Sequence, residues 1–205
     1  MPSTINATLT NGVAIQGDNS GALALQTNNG TTAVTINTSQ GVQFLNSISV
    51  GNATPTTSGA GITFPATQSA SSDANTLDDY EEGSWTPALK TPGTATYTQQ
   101  VGRYIKIGKF VFVKAHLQIT TIGTGNGAEV SGLPYLPAGY LFPITFGYWG
   151  TIASSQIYVS GYINPSADTI TFTSAASAGT TINNGVVLLT TASSIHFSAW
   201  YEAAS

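Results

Sequence analysis

The chain has 205 residues, enough for one generous domain or two small ones. Charged residues make up only 7%, against roughly 25% in an average soluble protein, so the polar surface must come from Thr, Ser, Asn, Gln and Gly. A net charge of −4 with five basic residues excludes a phosphate-neutralising surface, and the lack of Cys excludes disulfides and thiolate chemistry.

In chain order, the opening MPSTINATLTNG lacks the charged and apolar regions of a signal peptide. The longest apolar runs, such as GVVLL at 185–189, are too short to span a bilayer. The expectation is a protein made in the cytoplasm, with neither nucleic-acid binding nor membrane insertion. Residues 1–72 hold one charged side chain, Asp18, and two aromatics, Phe44 and Phe64; the other charges and aromatics follow. Such a shift predicts two architectures rather than one core.

Residues 1–50 are organised as apolar pairs spaced i, i+2: Val13 and Ile15, Leu23 and Leu25, Val34 and Ile36, Val42 and Phe44, Ile48 and Val50. That spacing puts both side chains on one face of a short strand, and GDNSG, NNG and SQG supply the turns between strands. One such strand cannot bury enough surface to offset its ordering entropy. The predicted solution is an oligomerisation segment intertwined in a homotrimer; the alternative is half of an ordinary monomeric sandwich. Residues 51–76 have the Gly/Ala/Ser/Thr/Pro composition of a linker, interrupted by Ile62-Thr63-Phe64-Pro65. A free linker has no use for Phe64, so an extended arm lying on a surface is expected.

Residues 77–205 are predicted to form an antiparallel β-sandwich of jelly-roll type, making the fold all-β. In RYIKIGKFVFVKAHLQIT (103–120), Val111, Val113, Ala115, Leu117 and Ile119 face one way, and Phe110, Phe112, Lys114, His116 and Gln118 the other. Gly108-Lys109 reads as the hairpin turn. Further strands are expected near 144–152, 156–163, 168–174, 185–191 and 194–202, with a Pro-rich crossover at 132–143.

Chemistry is sparse. His116 and His196 each sit in an alternating strand and read as surface or interface residues, and no GxSxG elbow is present. The string LDDYEEGSWTP at 77–87 gathers Asp78, Asp79, Glu81 and Glu82. It offers oxygen ligands for calcium but lacks the alternating D-x-D-x-D-G loop, so these four are weak metal candidates beside the reading of a solvated acidic turn. Sequence neighbours also repel and make a poor glycosidase pair. All five basic residues fall between 90 and 114, so the acids could face Arg103 and the lysines within a chain or across a subunit boundary. No catalytic residue, cofactor or resident metal is expected.

The acidic string, followed by GTATYTQQVGRYIKIGKFVFVKAHLQI, resembles a domain common in structural proteins of tailed bacteriophages. VSGLPY at 130–135 and IHFSAWYE at 195–202 are similar to later markers of that domain, and GDNSGALALQTNNGTTAVTI looks like short β-repeats found upstream of it. The resemblance implies a homotrimeric, non-enzymatic protein of the virion surface. Without a long shaft or separate anchoring domain, the expectation inclines toward a capsid decoration or cement protein contacting the major capsid protein. The alternative is a tail or head fibre binding host polysaccharide. Interface or ligand-contact candidates are Phe64, Arg103, Tyr135, Tyr140, Tyr148 and Trp149.

Overall fold

A computed structural model describes residues 22–27, 30–39, 41–55, 58–67, 71–73, 75–179 and 182–204. The Val13–Ile15 pair and Asp18 lie outside them. The chain divides into two compact units, 1–69 and 70–205. Among the described residues every regular element is a strand, so the fold is all-β, as the alternating patterns predict.

In the first unit, β1 (Leu23–Thr27), β2 (Thr31–Ile36) and β3 (Val42–Phe44) form an antiparallel sheet. Gly30, at φ 92°, turns β1 into β2, and Asn37 Oδ1 accepts from the Ser39 and Gly41 amides to turn β2 into β3. Register lines the apolar pairs into two ladders, Leu23–Ile36–Val42 and Leu25–Val34–Phe44. The short β4 (Ile48–Ser49) and β5 (Ile62–Thr63) pair in parallel, so the apolar island of the linker lies against a strand of its own unit. No described residue of this unit is buried, and Leu25, Val42, Phe44, Leu45 and Ile62 are all 44% exposed or more.

The second unit is one long antiparallel sheet folded into two layers. One layer contains β6 (Tyr80–Trp85), β8 (Thr96–Ile107), β9 (Phe110–Thr121), β15 (Leu189–Glu202) and β11 (Phe142–Ile152), in that order. The path continues through β12 (Tyr158–Ile163), β13 (Thr169–Ala175), β10 (Asn126–Ser131) and β7 (Ala88–Thr91), with β14 (Asn183–Asn184) beside β13. The corner is β11, whose first two residues pair with β12 while the rest pairs with β15. Gly108, at φ 56°, leads the two-residue turn that fixes β8 against β9, where the sequence predicts it.

The inward alternation of β9, namely Val111, Val113, Ala115, Leu117 and Ile119, is buried throughout. It meets Ile195, Phe197 and Tyr201 from β15 and Ile163, Ile170 and Phe172 from the facing layer in one core. At roughly 1.5–3 kcal/mol per fully buried aliphatic or Phe side chain, this core is the main source of the second unit's stability.

The structure departs from the sequence expectation in adding β7, β10 and β14 and in two further details. The predicted strands at 185–191 and 194–202 merge into β15, because Ala192 adopts φ 67° and Ser193 Oγ donates to the Thr151 carbonyl at 2.6 Å, carrying the strand through an irregularity. The acidic string is an edge strand rather than a solvated turn: Tyr80 to Trp85 pair residue by residue with Ile107 to Gly102.

Candidate functional site: the outer face of the β6–β8–β9–β15–β11 sheet

Pairing places the four carboxylates on different sides of β6 and its approach. Asp78 accepts from the Ser71 amide at 2.8 Å. Asp79 is fully buried and ion-paired with Lys106, itself only 4% exposed. Glu81 faces inward and accepts from the Tyr135 hydroxyl, whereas Glu82 faces outward and accepts from Tyr80. Among the described residues no three His, Cys, Asp or Glu side chains converge on a possible metal position.

Tyr135, a contact candidate from sequence, is thereby held inside the unit. Tyr104 stands edge-on to its ring at 5.5 Å, Lys106 Nζ lies 5.4 Å from its centroid, and Tyr201 donates to its carbonyl at 3.0 Å. Burial, then the hydrogen bond to Glu81, pushes the Tyr135 hydroxyl well above the ordinary tyrosine value. Tyr140, Tyr148 and Trp149 are 70%, 53% and 46% exposed, and Phe64 is half-buried in the first unit. Trp149 packs edge-on against Phe146, so it is a surface aromatic with one protected side.

The outward side chains of the first layer form cross-strand rows. One row runs Tyr80–Ile107–Phe110–Glu202 and the next Glu82–Ile105–Phe112–Trp200. Then come Ser84–Arg103–Lys114–Ser198 and Val101–His116–His196–Tyr148. Val101, Ile105, Ile107, Phe110, Phe112 and Trp200 are between 38% and 52% exposed. Phe110 stacks on Trp200 at 6.0 Å, so the apolar part of the face is preorganised.

The face is electrically uneven. Arg103 and Lys114 are direct cross-strand partners, an arrangement that repels. Lys90 is matched by Glu129 and Lys106 by Asp79, while among the described residues neither Arg103 nor Lys114 forms an ion pair. Two open depressions flank this cation pair. One, of about 340 Å³, is lined by Val101, His116, His196 and Ser198; the other, of about 500 Å³, by Glu82, Tyr104, Ile105 and Phe112.

His116 and His196 stack with ring centres 3.9 Å apart, and Tyr148 stands edge-on to His196 at 5.5 Å. Burial, with repulsion from His196, holds His116 below its ordinary 6.5. The unfolded chain therefore takes up this proton first as pH falls. Stability tied to His116 is complete above 6.5, declines as pH drops through the folded value, and levels off below it. Thermal melts between about pH 7.5 and pH 5.5 should show a shallower acid slope for His116→Gln than for the native chain, and equal slopes would refute the assignment.

Sequence alternation put Phe110, Phe112, Lys114 and His116 on one face but did not identify that face as a site. The signal was present: FVFV is apolar on both alternations, which marks a strand covered on both sides. Rows spanning four strands exist only once register is known.

These features define an antiparallel β-sandwich unit with an apolar, cation-bearing outer sheet face. No family model and no curated protein matches the chain. Among solved structures it is similar to the Dettilon tailspike protein, with 19% sequence identity and a TM-score of 0.48. The match covers 60% of this chain and 24% of the tailspike, so the chain spans about a quarter of that protein.

Proposed function

We propose that this is a non-enzymatic structural protein of a tailed-phage virion surface that assembles as a homotrimer and decorates the capsid. The observation that carries self-assembly is the first unit. Its two apolar ladders lie on a three-stranded sheet with no buried residue among those described. Among the described residues both ladders are left open to water, and copies of the same chain supply matching apolar ladders at fixed stoichiometry. The virion surface rests on the resemblance carried by LDDYEEGSWTP and the hairpin after it. A low-charge surface of hydroxyls and amides suits a protein that adds interface rather than chemistry.

Copy number tests this reading. In purified virions, gel densitometry against the major capsid protein should find the chain at a sizeable fraction of the capsid count. A few tens of copies or fewer would instead fit a fibre. The exposed Tyr140, Tyr148 and Trp149 favour that second reading, a tail or head fibre whose C-terminal domain binds host polysaccharide. Binding of the isolated protein to host glycan would support it.

A further inference from the structure

We infer that the outer face of the β6–β8–β9–β15–β11 sheet is the surface on which a second copy of this chain docks, and that the Arg103–Lys114 pair receives a carboxylate from that copy. The inference rests on the homo-oligomeric reading above and assigns the surface within the second unit that makes the contact.

Three observations carry it. The first is apolar area. Rows of four strands about 4.8 Å apart, four rows over about 20 Å of strand, give roughly 400 Å² in projection for the whole face, its charged row included. A standard interface takes roughly 800 Å² from each partner, so this face would supply about half of one. Its apolar part, centred on Ile105, Ile107, Phe110, Phe112 and Trp200, is a patch of the kind that on a monomer is often functional.

The second is charge. Arg103 and Lys114 face each other across β8 and β9, and among the described residues neither forms an ion pair, although Glu82 lines the same depression and two of the five basic residues are spent here. Apolar neighbours such as Val101, Ile105 and Phe112 make an unmatched cation pair costlier, not cheaper.

The third is self-complementarity. The same face carries exposed carboxylates toward one end, with Glu82 beside Ile105 and Glu202 opposite Phe110. In a threefold assembly one edge of this face meets the other edge of the neighbour's face, which can bring an acid of one copy to the cation pair of the next. The chain thus holds both halves of the contact, which singles out another copy over an unrelated protein or an acidic glycan.

The test uses the full chain in sedimentation equilibrium, with Arg103→Glu, Ile105→Asp and, away from the face, Tyr158→Glu. The native chain and Tyr158→Glu should associate alike, and the two face variants should associate about 100-fold more weakly or worse. Adding Glu82→Arg or Glu202→Arg to Arg103→Glu should recover association, because the charges are then exchanged. Circular dichroism confirms that the variants fold, as the altered side chains lie outside the core. If a face variant fails to fold, Ser198→Cys serves instead: the chain has no other thiol, so its alkylation should be slow in the assembly and accelerate on dilution.

A monomeric native chain would sink the homo-oligomeric reading itself. A native assembly unaffected by the face variants, with equal thiol reactivity at all concentrations, would overturn this inference alone. Face variants that assemble normally but no longer bind capsids would hand the surface to the capsid protein.

Discussion

Lys106→Ala should destabilise the second unit by about 3–5 kcal/mol in urea unfolding, a large share of the roughly 5–15 kcal/mol that holds a domain together. The Lys106 and Asp79 side chains are 5% and 1% exposed, so each charge has traded water for the other. Among the described residues Asp79 Oδ1 meets no donor, and Oδ2 takes its bond from Lys106. Removing the lysine leaves a buried carboxylate with nothing to offset its desolvation. Asp79→Ala should cost less, since Lys106 keeps the face of Tyr135 at 5.4 Å and has a flexible stem that can carry its charge toward water. The double variant Asp79→Asn/Lys106→Met should recover most of the loss, because no buried charge remains unpaired. A Lys106→Ala penalty below about 1 kcal/mol would mean that water reaches the pair and that it behaves as a surface ion pair.

This ion pair also marks where sequence reading stops. Alternation is a local property, and it gave the β9 core side, the hairpin at Gly108 and most strands of the second unit. Lys106 and Asp79 are 27 residues apart, and which lysine meets which acid depends on the β6–β8 register. Four carboxylates in five positions looked like one feature. The pleat divides them, sending Glu81 inward to Tyr135 and Glu82 outward to Tyr80. Arg103, the expected partner of the acids, falls opposite Ser84 and Lys114 instead.

The strands that escaped the pattern have weak propensity and are held by neighbours. β10 reads NGAEVS, with Asn and Gly where a strand prefers branched or aromatic residues, yet β7 and β13 pair with it on both sides. Gly127 is required there by approach rather than by turn formation: a Cβ would lie 2.0 Å from the Leu189 carbonyl oxygen. In the first unit the i, i+2 spacing was legible, and the alignment of three such pairs into ladders needed the structure.

The second large effect concerns Trp85, the aromatic that closes the acidic string. Trp85→Ala should cost about 3–5 kcal/mol, as expected for emptying a large aromatic site in a core. The ring is 6% exposed, stands edge-on to Phe197 at 6.3 Å, and lies over Gly102, its register partner. Trp85→Phe should cost much less than its lost volume implies. Among the described residues the indole Nε1 has no acceptor, and removing a buried, unsatisfied N–H returns about 1–3 kcal/mol. Gly102 explains why the ring fits: a Cβ there would come 2.5 Å from Nε1. Gly102→Ala should therefore destabilise the native background by about 1–3 kcal/mol through overpacking. It should cost clearly less in the Trp85→Phe background, where the smaller ring leaves room. A double-mutant cycle over the four proteins reads this directly as a coupling of about 0.5–3 kcal/mol. Equal Gly102→Ala costs in both backgrounds would show that the strand needs glycine for its backbone and not for the indole. Because Trp85 and Glu82 project from opposite sides of β6, the same contact that seals the core also fixes the strand bearing the acid at the edge of the outer face.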